Sequence, residues 1–514
     1  MSLMSDAGTF LPQFSPSWIL AAFVLLSAFF YLRQPTKSSI RIPSPPRLPI
    51  IGNLHQLGHL AHSSMRTLAA EHGPVMLLYF GPIPNVVVSS AAAAQEVFKA
   101  NDQAFCGRPD TTLADRIFYG ARDVALSKYG EYWRRVRRIC VTHLLSAKRV
   151  HSFRSIREKE AARLVATIRS ASSRPVNVTE LIAAFTCDVL CRVLFGKQGE
   201  GGGRKELSLH NDVVEAVGGA FPMRDFSPWL AWVDWLSGWD ARVGKASRDF
   251  DAFVEKILKE HESNRIIGGD DHDDRRTDMV GVLLSLSADG SDAADGTSLS
   301  RESIKAVLLD MFAAGMETTN TTIDWAMSEI IRHPKIMAKA QKEIREIVGA
   351  KEEVEEEMVQ GMPYLRAVIK ETLRLHPPAP ILFPRESIED AQVLGYHIPK
   401  GTRMIVNAWA IGKDPASWEN AEEFRPERFL NNSKNFDFRG LDFEFIPFGS
   451  GRRGCPGVDF ATVTTGLALA TLLYHFDWEL PEGVKEEDMD MSESPGFSLK
   501  RKSKLILVGK PIDH

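Results

Sequence analysis

The run Phe448-Gly449-Ser450-Gly451-Arg452-Arg453-Gly454-Cys455-Pro456-Gly457 sets four glycines around one cysteine. Glycine admits positive φ and lets backbone approach another object closely. The object that suits this loop is a flat macrocycle. A helix is expected over Phe460–Tyr474, so Cys455 lies ahead of a helix N-terminus, whose dipole favours an anion. Cysteine ligates metal as the thiolate, a form that backbone N–H groups stabilise. Arg453 is placed to meet a carboxylate. Gly449–Gly454 also spells G-x-G-x-x-G, with acidic Asp477 further on, which is the dinucleotide fingerprint. That fingerprint needs a strand before it and a helix opening within it. Pro447 interrupts Phe443–Phe448 and the helix comes only after Pro456, so the nucleotide reading is set aside.

Outward from this loop, the 514 residues are 44 % apolar and 25 % charged, ample for a large core. The net charge of −4 argues against nucleic acid as the main partner and leaves room only for a local basic patch. Five cysteines, an odd number in so long a chain, are no disulfide framework and fit a reducing compartment. Cys187 and Cys191 share a helix face, but no second His/Cys pair completes a zinc set, so they read as packing. Gly268–Arg276 holds four aspartates and a histidine and reads as a solvated loop rather than a metal site. Asn177, Asn320 and Asn431 open Asn-x-Ser/Thr matches that carry no function in a cytoplasmic domain.

The N-terminus reads as a membrane address. Ser17–Leu32 is uncharged and slightly short of the ~20 residues that span a bilayer. Phe10–Phe14 extends it, despite Pro12 and Pro16. Arg33, Lys37, Arg41 and Arg47 follow while no Lys or Arg precedes, which places the remainder in the cytoplasm. A cleaved signal peptide wants a basic start and a small-residue cleavage site. Here the start carries only Asp6 and the segment ends Phe-Phe-Tyr-Leu-Arg. The expected organisation is a membrane anchor over 1–40, a proline-rich hinge over 41–53, stiffened by Pro43, Pro45, Pro46 and Pro49, and one large domain over 54–514.

Within that domain, Val75–Tyr79 and Asn85–Ser89 read as strands. Helical periodicity marks Tyr132–Leu145, Ala147–Ser170, Val178–Leu194, Ala246–His261, Arg301–Arg332, Pro334–Val348 and Tyr364–Leu375. Gly199–Gly203 breaks the pattern, and beyond Pro377 the chain becomes irregular, with short strands and many prolines. The fold class is mainly α with small β-sheets.

Phe448, Gly451, Arg453, Cys455 and Gly457 match F-x-x-G-x-R-x-C-x-G at every fixed position, and the loop resembles the cysteine signature of cytochromes P-450. The resemblance implies the P-450 fold and haem b with Cys455 as axial thiolate to the iron, Phe448 and Gly451 forming part of the cofactor site. Glu371 and Arg374, three apart, read on their own as a helix-surface pair worth a few tenths of a kcal/mol. By resemblance they form the family's E-x-x-R, with Arg428 as third member, a structural triad. Ala313-Ala314-Gly315-Met316-Glu317-Thr318-Thr319 contains poor helix formers, so a tolerated kink is one account. It resembles the oxygen-binding motif, which implies an opening beside the iron, Thr318 hydrogen-bonding dioxygen and Glu317 relaying protons. Glutamate stands where plant relatives commonly carry aspartate.

Trp133 and Arg137 match W-x-x-x-R, and Pro384-Arg385 lies beyond the E-x-x-R helix. The resemblance makes Trp133, Arg137, Arg385 and Arg453 propionate contacts. Arg134, Arg135, Arg138 and Arg452 form a basic cluster, by resemblance the docking face of a separate NADPH-fed flavoprotein reductase. Phe118, Val124, Ala313, Ala314, Ala379, Leu382, Phe383 and Phe497 line the implied substrate pocket, an apolar and aromatic set. Pro45–Asn53, Tyr129–Trp133, Asn407–Ala410 and Leu480–Met491 are similar to plant family-71 enzymes, nearest their A subfamily. The implied function is NADPH-driven monooxygenation of a small lipophilic metabolite (terpenoid, phenylpropanoid or indole-derived) at the endoplasmic reticulum membrane. Two alternatives remain: a haem-thiolate dehydratase or rearrangement enzyme, and a haem sensor.

Overall fold

In the computed structural model, Arg301–Arg332 forms a single helix of 32 residues, about 48 Å at the α-helical rise. The Ser300 hydroxyl caps it by accepting from the Ser303 N–H at 3.2 Å. It stops at His333, because Pro334 cannot continue it and instead opens the next helix, Pro334–Val348. Most of its middle is buried, including Phe312, Ile323 and Trp325, so it runs through the core rather than along the surface. Around it pack Val178–Phe195, Arg204–Gly218, Trp239–Ile267, Pro363–Leu375 and Val458–His475.

The structure describes residues 41–197, 203–218, 222–267, 278–288, 299–430 and 436–512. The apolar span Ser17–Leu32, most of Gly199–Gly203, the acidic run Gly268–Arg276 and Asn431 lie outside the described residues. Among the described residues, no helix is long and apolar enough to cross a membrane.

A four-stranded sheet stands beside the helices in the order Val75–Phe80, Ile83–Val88, Arg403–Val406, Arg385–Glu386. Val75 pairs Val88 antiparallel, Val88 pairs Val406 in parallel, and Arg385 pairs Met404 antiparallel. The proline-rich segment is stitched to this sheet: Leu77 donates its N–H to Pro43 O at 2.8 Å, and Tyr79 donates its N–H to Asn53 Oδ1 at 2.8 Å. Near the C-terminus Glu493–Ser494 and Lys500–Arg501 form a short antiparallel hairpin.

Some expected boundaries move. Tyr132–Leu145 becomes the α-helix Glu131–Ile139 followed by a wider-wound turn, Cys140–Leu144. Ala147–Ser170 splits at Phe153 into Ala147–Ser152 and Arg154–Ser170. Tertiary contacts sustain that break. Buried Arg157 forks onto Glu356 at 2.5 and 2.7 Å and donates to Val150 O, a carbonyl in the last turn of the first piece. Ala246–His261 lengthens to Trp239–Ile267. Phe443–Phe448 is no strand, and the following helix starts at Val458, as the rejection of the dinucleotide fingerprint required.

Candidate active site around Cys455

The loop that carries Cys455 is held by its own backbone. The Cys455 N–H donates to Phe448 O at 2.9 Å, closing the ten-residue run on itself, and the Gly457 N–H donates to Cys455 Sγ at 3.3 Å. Of the four glycines, only Gly449 and Gly451 have positive φ, +69° each. Gly454 and Gly457 do not, so their presence is not a backbone requirement of that kind. At Gly451 a Cβ would also strike the Asp102 carboxylate and stand 3.0 Å from Phe98 O. The close approach that demands glycine here is therefore to protein, which corrects the expectation that a macrocycle alone demands it.

Cys455 is exposed to open space, while the protein around its thiol still desolvates it. Burial raises the thiol pKa; the Gly457 N–H and the Arg137 guanidinium act in the opposite sense, because both favour the anion. The helix Val458–His475 begins three residues on.

Around this loop converge four arginines. Arg137 Nη2 donates to Gly454 O at 2.6 Å, and Arg385 Nη2 to Ser450 O at 2.7 Å. Arg453 donates to Cys106 O at 2.9 Å and Ser127 O at 2.7 Å, with its guanidinium 4.2 Å above the Trp133 ring. The Trp133 N–H is itself committed to Val124 O at 3.1 Å. Arg108, which the motifs did not single out, donates to Ala125 O at 2.7 Å and to Phe383 O and Pro384 O at 2.8 Å. Burial lowers the pKa of all four arginines, Arg385 and Arg453 to about 10, and Arg108 is lowered further by repulsion from Arg453 and Arg385. Their hydrogen bonds run to neutral carbonyls, apart from Asp102 at 3.4 Å from Arg385. Desolvated cations in such surplus fit a group bearing carboxylates, beside a cysteine poised as a metal ligand.

Behind the loop, Arg374 grips Glu371 with both arms, Nε to Oε2 and Nη2 to Oε1 at 2.7 Å each, both side chains having no exposure. Arg428 Nε adds a third contact to Glu371 at 3.0 Å, and the Arg425 N–H a fourth at 2.8 Å. Arg374 also donates to the carbonyls of Gly412, Ala421 and Glu423.

On the long helix, Ala314, Glu317, Thr318 and Thr321 follow i, i+3, i+4, i+7 spacing and share a face. Ala314 and Thr318 are half-buried, Glu317 and Ala313 buried. The expected kink does not break the helix. The Thr318 and Thr319 hydroxyls donate to the carbonyls four residues back, Ala314 at 2.7 Å and Gly315 at 2.8 Å, so these poor helix formers serve their own backbone. Gly315 has a packing reason as well, since a Cβ there would stand 3.3 Å from Leu190 of the neighbouring helix. Asp310, one turn before Ala314 on the same face, accepts the Val124 N–H at 2.7 Å and the Ala125 N–H at 3.3 Å. Burial raises its carboxyl well above the usual range, and that of its neighbour Asp123 to about 6. Its i, i+4, i+8 register with Ala314 and Thr318 was the signal that could have found it.

The pocket candidates divide. Phe383 and Phe497 meet edge-on at 6.1 Å, and Leu382 lies beside Gly449. Phe118, Val124 and Ala313 are packed in the main core, and Ala379 is half-buried. In the basic cluster Arg134 and Arg138 are exposed, Arg135 is half-buried, and Arg452 is paired with Asp102 at 2.8 Å. Cys187 and Cys191 sit 4.0 Å apart in the core as free thiols, and Asn177 caps a helix by accepting from the Glu180 N–H.

The chain matches the family model described as cytochrome P450 over residues 42–508. It is 46 % identical over 495 residues to cytochrome P450 71A25 of Arabidopsis thaliana, covering 96 % of this chain and 98 % of the relative. It is 44 % identical over 481 residues to the psoralen synthase of Pastinaca sativa, covering 93 % and 99 %. A zebra fish cytochrome P450 solved with progesterone superimposes with a TM-score of 0.75 at 25 % identity, covering 88 % of this chain and 99 % of that one. The chain belongs to the cytochrome P450 family, as an oxidoreductase whose cofactor is haem held through a cysteine thiolate.

Proposed function

We propose that the chain is a monooxygenase that inserts one oxygen atom from dioxygen into a small lipophilic plant specialised metabolite, terpenoid, phenylpropanoid or indole-derived, with electrons from NADPH delivered by a separate reductase. The observation that carries this is the convergence of Arg137, Arg385 and Arg453 on the loop of Cys455. Cys455 would hold the iron and Arg137, Arg385 and Arg453 the propionates, with Trp133, its N–H given to Val124 O, stacked on Arg453 and Phe448 and Gly451 shaping the loop. Bound haem supplies dioxygen activation; the protein supplies position, protons and dryness. Glu371, Arg374 and Arg428 keep the wall behind the loop rigid. Thr318 presents a hydroxyl and Glu317 a carboxylate for proton transfer, a task that tolerates only short hydrogen-bond distances. Phe383, Phe497, Leu382 and Ala314 offer apolar surface that orients a lipophilic substrate and excludes water. The relative named for psoralen synthesis supports a plant metabolite as substrate.

The protein acts at the endoplasmic reticulum membrane, with its large domain on the cytoplasmic side. Trp229, Trp232, Trp235 and Leu236 are 58–70 % exposed in one short segment, a pattern suited to the bilayer interface. Just before that segment, Phe226 packs against Gly81, where a Cβ would lie 3.3 Å from Phe226 and 3.6 Å from Ile50 O. Ile50 and Ile51 in the proline-rich segment are exposed as well. Arg134 and Arg138 offer exposed charge to an acidic reductase, while Arg452 is already met by Asp102.

The test is a product screen in membranes that hold the protein and a plant reductase, with terpenoids, phenolics and indoles added. NADPH-dependent products heavier by one oxygen are expected. Products that gain no oxygen would replace this function with dehydration or rearrangement.

A further inference from the structure

Glu317 is 1 % exposed, yet it is not isolated from solvent. Lys500 Nζ stands 2.7 Å from Glu317 Oε1, and the Lys500 side chain is 42 % exposed. The Ser498 hydroxyl donates to the same carboxylate oxygen at 2.9 Å. Both partners come from the C-terminal hairpin, which is tied to the long helix at two further points. The Thr321 and Ser498 hydroxyls lie 2.9 Å apart, and the Trp325 N–H donates to Leu499 O at 2.7 Å. Glu317, Thr321 and Trp325 recur every fourth residue, so successive turns of one helix carry all three contacts. The hairpin tip is seated against Gly218, where any Cβ would collide with the Phe497 backbone.

From a neighbouring element, Arg204–Gly218, His210 also interacts electrostatically with Glu317. Burial lowers its pKa to about 4, so it is neutral near pH 7 and Lys500 is the cation that Glu317 meets. Burying a carboxylate is costly unless a charge and hydrogen bonds compensate its desolvation, and the hairpin supplies both. Aspartate at this position would be one methylene shorter.

We propose that Lys500 and Ser498 are positioning residues for Glu317: they fix the orientation of its carboxylate, and the half-exposed Lys500 edge of the hairpin is where that carboxylate exchanges protons with water. This rests on Glu317 acting as the proton relay.

The test uses the haem-loaded full chain with its reductase, with NADPH and dioxygen as the only probes. Dioxygen consumption is followed against pH for the parent, Glu317→Gln, Lys500→Met, Lys500→Arg and Ser498→Ala. Glu317→Gln should slow consumption at pH 7 by about tenfold or more and remove the acid limb of the profile. Lys500→Met should move that limb to higher pH, Ser498→Ala should move it the same way by less, and Lys500→Arg should restore it. A Lys500→Met profile that overlays the parent, while Glu317→Gln does not, would overturn the hairpin's role and leave the relay standing. An unaltered Glu317→Gln profile would overturn the relay and this proposal with it. Melting curves of the same proteins, with the double variant added, report folding and the ion pair together: non-additive shifts support the pairing, and additive shifts overturn it.

Discussion

Glu371 receives two arginines and a backbone N–H with no exposed surface of its own, so protein alone meets its charge. Removing one charge from such a network leaves the others buried and unmatched. Glu371→Gln should destabilise the protein by about 3–5 kcal/mol in denaturant unfolding and lower the haem content of the purified protein. Arg374→Lys should do nearly as much damage, because an ammonium cannot reproduce the fork onto both carboxylate oxygens. Gly451→Ala should also fold poorly, since its φ of +69° and its contact with Phe98 O leave no room for a methyl. A melting temperature equal to the parent's would refute that account of Gly451. These residues were legible in the sequence because each belongs to a fixed local spacing. Arg108 and Lys500 were not, because their meaning lies in contacts that tertiary structure alone brings together, Arg108 with Phe383 and Lys500 with Glu317.

At the scale of elements, the N-terminal turns of the long helix are clamped to Trp239–Ile267. Glu255 receives Arg301 Nε and Lys305 Nζ, both at 3.0 Å. Those two cations lower the Glu255 carboxyl from 4.5 to about 2. The sign follows from linkage: the unfolded chain takes up the proton first, so the clamp's stability is fully present above pH 4.5 and is lost as pH falls toward about 2. Melting temperature should therefore decline across that window, and Glu255→Gln should flatten that part of the decline while lowering the melting temperature at neutral pH. A variant as steep as the parent would exclude the clamp. The limits of Arg301–Arg332 were readable in advance, because Ser300 and Pro334 mark them by local chemistry. The break at Phe153 was not, because Arg157 and Glu356 sustain it from a distance of nearly two hundred residues in sequence. Sheet order was hidden for the same reason, with Ile83–Val88 pairing a strand that begins at Arg403.

For the whole molecule, one short segment exposes Trp229, Trp232 and Trp235, and Arg134 and Arg138 offer exposed charge elsewhere in the chain. Brominated lipids should quench tryptophan fluorescence of the full chain carrying Trp18→Phe in vesicles, and adding Trp229→Ala/Trp232→Ala/Trp235→Ala should lose most of that quenching. Equal quenching in the triple variant would place the bilayer elsewhere. Arg134→Glu/Arg138→Glu should raise the reductase concentration needed for half-maximal turnover and weaken its dependence on salt, since exposed charges act chiefly on association. Unchanged reductase dependence would remove those arginines from the docking face. The fold class was readable because one loop signature specifies it, whereas the approach of Phe226 and Ile50 to Gly81 joins residues far apart in sequence.

The central claim is that Cys455 binds the haem iron as a thiolate. It is tested most directly by the reduced carbon monoxide difference spectrum of the parent and of Cys455→Ser, each purified with haem. The parent should show the thiolate-type band and Cys455→Ser should lack it; a thiolate-type band that survives in Cys455→Ser would contradict the account.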